Sequence, residues 1–147
     1  MSKTGMLIAF FVLFGVMYGT YDLYDEYSAQ REVEAVVLSI SSQISSLSNA
    51  PEEYSVKKKI KLPGNIHGEP YIFTMDSERY HIKIKLMGKF SDKNIEEFAM
   101  LPDFSFVREG FNSKGEVSVG SPFGGMNTTG AIVVSKNYAV INITAVA

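Results

Sequence analysis

The chain has 147 residues, of which 46% are hydrophobic and 20% charged, with a formal net charge of −2 and no cysteine. That length suits one domain with an appended segment, and the hydrophobic fraction excludes wholesale disorder. The lack of cysteine excludes disulfides, thiolate metal sites, iron–sulfur clusters and thiol catalysis.

Between Lys3 and Asp22 lie eighteen uncharged residues, TGMLIAFFVLFGVMYGTY. A run of this length reads as a membrane-spanning or filament-core helix. A cleaved secretory signal would need an A-x-A-like site after the run, and amphipathic helix follows instead. Gly15 and Gly19 stand four apart, a spacing that lets helix backbones approach closely. Tyr18, Tyr21, Tyr24 and Tyr27 follow, either as a membrane-interface belt or as packing against neighbouring helices.

No glycine occurs between Gly19 and Pro51 and no proline before Pro51, so nothing breaks the helix there. Val33, Val37, Ile40, Ile44 and Leu47 share one face, flanked by serines from Ser39 to Ser48. That stripe is the expected seat of the rest of the chain. Asn49 and Pro51 supply the stop. A helix over residues 3 to 49 would be about 70 Å long, more than twice a bilayer core. Residues 1 to 50 therefore form a stem, and residues 51 to 147 a head. Charge divides at nearly the same place: residues 1–53 carry two basic and seven acidic side chains, residues 54–147 twelve and nine.

The head reads as β structure. Strands are expected at Tyr54–Leu62, with Tyr54, Val56, Ile60 and Leu62 inward, at Tyr71–Thr74, and at Tyr80–Leu86. A helical turn led by Ser91-Asp92 is expected within residues 91–100. Weaker strands follow at Phe104–Val107 and Glu116–Val119. Ala131–Val134 and Tyr138–Val146 close the chain around a Ser135-Lys136-Asn137 hairpin loop. Six or seven such strands make the fold class α+β, a long helix followed by an antiparallel β-sandwich or small barrel.

Catalytic patterns are sparse. His67, in a Gly/Asn/Pro-rich loop, and His81, on a lysine-bearing strand face, read as surface histidines. Gly115 to Gly120 lacks the lysine of a phosphate loop and leads into no helix. Glu96 and Glu97 are adjacent and point apart, and no G-x-S-x-G elbow exists. No enzyme, metal or cofactor is expected. Lys57, Lys59 and Lys61 line one strand face, and Lys83 and Lys85 another. If these strands pair, five lysines form a basic docking patch for acidic polymers or an acidic neighbouring helix; edge-strand protection is the alternative. Asn127-Thr-Thr and Asn142-Ile-Thr are N-glycosylation sequons. Lys3 before the apolar run and Asp22, Asp25 and Glu26 after it place the head outside the cell.

A short stub ending Thr4-Gly5, an apolar helix continuing as an amphipathic one, and a β head together resemble the type IV pilin superfamily. Leu62-Pro-Gly-Asn-Ile-His-Gly68 and the two strands after it look like the opening of an archaeal pilin head. The resemblance implies a helical homopolymer, held in the membrane before assembly and then released into an extracellular filament. Phe10, Phe11, Leu13, Phe14 and Val16 would fill its core, with Gly15 and Gly19 allowing close approach. Val33, Val37, Ile40, Ile44 and Leu47 would hold head to stem. A prepilin peptidase cutting between Gly5 and Met6 and an assembly platform are implied partners, unless residues 1–5 are already the mature start. The chain departs from bacterial pilins in having Phe10, not glutamate, five positions after Gly5, and no disulfide loop. Adhesion is the expected role. A motility filament (archaellin), a membrane-anchored monomeric β-sandwich of an archaellum or envelope complex, and an anchored module for an acidic polymer are the alternatives.

Overall fold

The computed structural model describes residues 2–51 and 53–147. A single helix, α1, runs Lys3–Ser48, about 69 Å at 1.5 Å per residue. Ser2 caps it, its Oγ accepting the Gly5 N–H at 3.1 Å. Eight strands follow: β1 Val56–Lys61, β2 Tyr71–Asp76, β3 His81–Leu86, β4 Glu96–Met100, β5 Ser105–Glu109, β6 Glu116–Val119, β7 Ala131–Asn137 and β8 Val140–Val146.

They form two four-stranded sheets, ordered β1-β7-β8-β5 and β4-β3-β2-β6. All neighbours are antiparallel except β5 and β8, which run parallel. Inward residues follow the strand period of two. Tyr71, Phe73, Met75, Ile82, Ile84 and Leu86 come from one sheet, and Ile60, Ile132, Val134, Ile141 and Ile143 from the other.

The lower half of α1 completes this core. Val33, Val37, Ile40, Ile44 and Leu47 are all buried, as their spacing predicts, and Ala29 extends the stripe one turn upward. Burying each large aliphatic side chain is worth about 1.5–3 kcal/mol, so stem and head stabilise one another. The helix lies along edge strand β4. Ser41 Oγ donates to the Met100 carbonyl at 3.1 Å, and Gln30 Nε2 to the Glu96 carbonyl at 3.3 Å and Glu97 Oε1 at 2.6 Å. Helix side chains thus satisfy backbone acceptors that no neighbouring strand reaches.

Several expectations are corrected. The helical turn comes earlier than expected, as the 3-10 turn Gly88–Phe90 running into a hydrogen-bonded turn over 91–94, and Glu96–Met100 is a strand, because β3 offers it a pairing edge. The last hairpin loop is not Ser135-Lys136-Asn137. Strand β7 runs on through Asn137, which pairs with Val140, so only Tyr138 and Ala139 turn the chain. Tyr54 lies before β1 and is exposed, since the core ends at Val56. Tyr80 sits in the β2–β3 turn at φ 53° and is half-buried.

Candidate anchoring and assembly surface

The upper part of α1 is open to its surroundings; among the described residues its first ion pair with the head is that of Asp22 with Lys93. From Ser2 to Tyr24 every residue is exposed, and the large apolar side chains from Met6 to Met17 each keep 59–66% of their surface open. Lys3 to Tyr24 spans about 33 Å, matching a hydrocarbon core of about 30 Å. This is a helix long and apolar enough to cross a membrane, with none of its apolar window buried. Phe10 and Phe14 stack at 5.9 Å between ring centroids. A Cβ added at Gly15 or Gly19 would meet nothing within 4 Å, so both glycines leave a flat face free. Tyr18, Tyr21, Tyr24 and Tyr27 are exposed too; at three-residue intervals they wind around the helix and do not form one stripe. The Gly5–Met6 bond lies in the first turns of α1.

Where the apolar run ends, the head grips the helix through charge. Asp22, Asp25 and Glu26 continue the buried face upward as a polar strip, and Glu32 flanks it beside Ala29 and Val33. Ile66 and Glu69 bridge across a two-residue turn whose residues, His67 at φ 53° and Gly68 at φ 76°, are both left-handed. Glycine suits that second position because it has no Cβ to clash. The turn aims His67 at the helix. Its Nε2 lies 2.7 Å from Asp25 Oδ1, its Nδ1 2.9 Å from Glu32 Oε1, and its backbone N–H donates to Glu32 Oε2 at 2.9 Å. Lys89 Nζ donates to Asp25 Oδ2 at 3.0 Å, and Lys93 pairs with Glu26 at 2.7 Å and Asp22 at 3.7 Å. His67 is therefore no free surface histidine.

Protonation follows the geometry. Hydrogen bonds to Asp25 and then Glu32 raise the His67 pKa above its ordinary 6.5. Hydrogen bonds from His67 and then Lys89 lower that of Asp25 below 3.8. A neutral imidazole has one N–H and can serve one carboxylate; the imidazolium serves both.

The helix C-terminus is held by a residue read from sequence as loop. The last turn of α1 has no basic side chain of its own. Lys136 of β7, 1% exposed, donates through Nζ to the Ser48 carbonyl at 2.8 Å and to that of Ala50, with the Phe104 ring 5.2 Å away. It thereby serves carbonyls that a helix end leaves without partners.

The other sites are scattered. Strands β1 and β3 belong to different sheets, so Lys57, Lys59 and Lys61 do not share a strand pair with Lys83 and Lys85. Lys83 lies 3.8 Å from Glu96. Asn127 sits in an exposed loop, its Nδ2 donating to the Gly110 carbonyl at 3.3 Å. Asn142 lies mid-strand in β8, half-exposed between Ser135 and Val107. Gly115 and Gly120 flank strand β6, with φ of 78° and 87°; they are strand-end glycines. Glu96 and Glu97 are successive strand residues and so face opposite ways.

The sequence could have signalled the ionic grip, because Asp22, Glu26 and Ala29 continue the spacing of the Val33 stripe toward the N-terminus. Nothing local to His67, Lys89 or Lys136 announces their partners. No family model matches the chain, and neither a curated protein nor a solved structure does.

Proposed function

We propose that this chain is the structural subunit of an extracellular filament of the archaeal type IV pilus kind, polymerising through α1 and serving adhesion. The observation that carries the reading is a rigid helix with two fates. Its lower half forms part of the head core, while its upper half presents unpartnered apolar surface on every side. Such a surface needs lipid or other helices around it. In lipid it gains no hydrophobic driving force by associating, so packing must replace the lipid contacts. Phe10, Phe11, Leu13, Phe14 and Val16 supply that packing, and Gly15 and Gly19 the close approach. Before assembly the same segment holds the subunit in the membrane, where a peptidase cutting at Gly5–Met6 and an assembly platform act on it. Of the two sequons, Asn127 is the better glycan acceptor, since Asn142 lies within a sheet.

The test is Val12→Asp. Wild-type cells should yield sheared extracellular fibres made of this chain; the variant should yield none, while its head keeps its β-sheet circular dichroism. Normal fibres from the variant would sink the proposal. The tyrosines wound around the helix where the apolar run ends support a second reading, a membrane-anchored monomer. For that reading the chain stays in the membrane fraction after shearing.

A further inference from the structure

We propose that the outer ridge of β1 binds single-stranded nucleic acid, its lysines pairing with phosphates and two tyrosines at the end of the ridge stacking on bases. Strand β1 is an edge strand of sequence VKKKIK, and Lys57, Lys58, Lys59 and Lys61 are all exposed. Among the described residues, none of the four is ion-paired to a carboxylate.

Edge protection accounts for only part of this charge. Lys58 stands opposite buried Val134, at a core-facing register position, and one such lysine already discourages pairing with another chain. Lys57, Lys59 and Lys61 occupy the other face, opposite Ser135, Val133 and Ala131, and Lys61 lies next to α1, lining a shallow groove with Ala35, Val36, Ser39 and Gln43. Alternate residues of a strand are about 6.8 Å apart, so these ammonium groups, on long flexible stems, form one row that successive phosphates of a single strand can follow.

The tyrosines give the ridge an aromatic end. Tyr54 precedes β1 and Tyr138 begins the β7–β8 turn; the Ser55 Oγ to Asn137 Oδ1 hydrogen bond of 2.8 Å brings their neighbours together. Both rings are open, at 63% and 78% exposure, and nothing in the core requires them. A cationic track beside aromatic faces is how sequence-tolerant single-strand binders work. The flat rings at the end of a cationic row favour this ligand over an acidic polysaccharide, which has no bases to stack. The proposal stands apart from the filament reading and does not depend on it.

The test is fluorescence anisotropy of a labelled oligo(dT) 20-mer with the full chain in non-ionic detergent, titrated from 50 to 300 mM salt. Three lysine–phosphate contacts predict a log–log salt slope of about −2. Lys57→Gln/Lys59→Gln/Lys61→Gln should weaken binding by about tenfold or more and flatten that slope. Tyr54→Ala/Tyr138→Ala should weaken binding by about fivefold or more with the slope unchanged. Lys114→Gln, exposed elsewhere on the head, serves as control, and melting temperatures establish that all variants are folded. No binding, or a triple-lysine variant that binds like wild type, overturns the proposal. Binding of polygalacturonate that oligo(dT) fails to displace overturns it in favour of an acidic glycan.

Discussion

His67 Nε2 lies 2.7 Å from Asp25 Oδ1, joining a tight turn of the head to a helix residue forty-two positions earlier. The contact sits beside the last exposed residues of the apolar segment, where stem and head part company. It makes the grip between them dependent on proton concentration.

The sign follows from the two shifts. The His67 pKa is raised in the folded chain, so its contribution is complete below its ordinary 6.5 and is lost as pH rises through the folded value. The Asp25 pKa is lowered, so its contribution is complete above 3.8 and is lost as pH falls through the folded value. The grip is strongest between about pH 4 and pH 6.5. Melting temperature should therefore fall from mildly acidic toward alkaline pH, and His67→Ala should flatten that arm. An unchanged pH profile in His67→Ala would assign the dependence elsewhere.

Neighbouring positions on the lower stem should behave oppositely. Ile40 is buried and Leu38 exposed. Ile40→Ala should cost about 2–5 kcal/mol through the lost contact and the cavity left behind. Leu38→Ala should stay within about 0.5 kcal/mol. Urea unfolding of the two variants measures the difference.

Lys136→Met keeps the side chain's bulk but removes the donor to the Ser48 and Ala50 carbonyls. Leaving buried acceptors without a partner costs about 1–3 kcal/mol. Thermal unfolding should drop by several degrees, and amide exchange should accelerate first in the last turn of α1. An unaltered melting curve would mean that water satisfies those carbonyls.

The stem stripe and the alternating strands β2, β3, β7 and β8 were legible because burial on one side imprints a period on the sequence. β4 was not legible. Its Phe98 and Met100 are exposed, so Glu96–Met100 shows no clean hydrophobic alternation, and its Glu96 and Met100 carbonyls are satisfied by helix side chains. The parallel placement of β5 depends on a long return path that no local signal encodes. Lys136 looked like the tip of a hairpin because a charge ending an apolar run resembles a turn. Its burial is set by helix carbonyls more than eighty residues earlier. His67 was misread for the same reason: its partners lie on another element.

Gly15→Val and Gly19→Val probe the upper stem. A Cβ added at either site has nothing within 4 Å beyond the helix's own adjacent backbone. Each variant should melt like wild type. If α1 packs against copies of itself, fibre yield should fall sharply in both, as quantified by electron microscopy of the sheared fraction. Unchanged yield would place the helix–helix contact on another face.

Because residues Ala29 to Leu47 are at once the stem and part of the β-sandwich core, no compliant linker separates the two. A pull along α1 is borne directly by the packed wall against β4, and a tug on the head returns along the same path. Such a subunit behaves as a single stiff strut, and under load it should shear at its ionic collar before it bends.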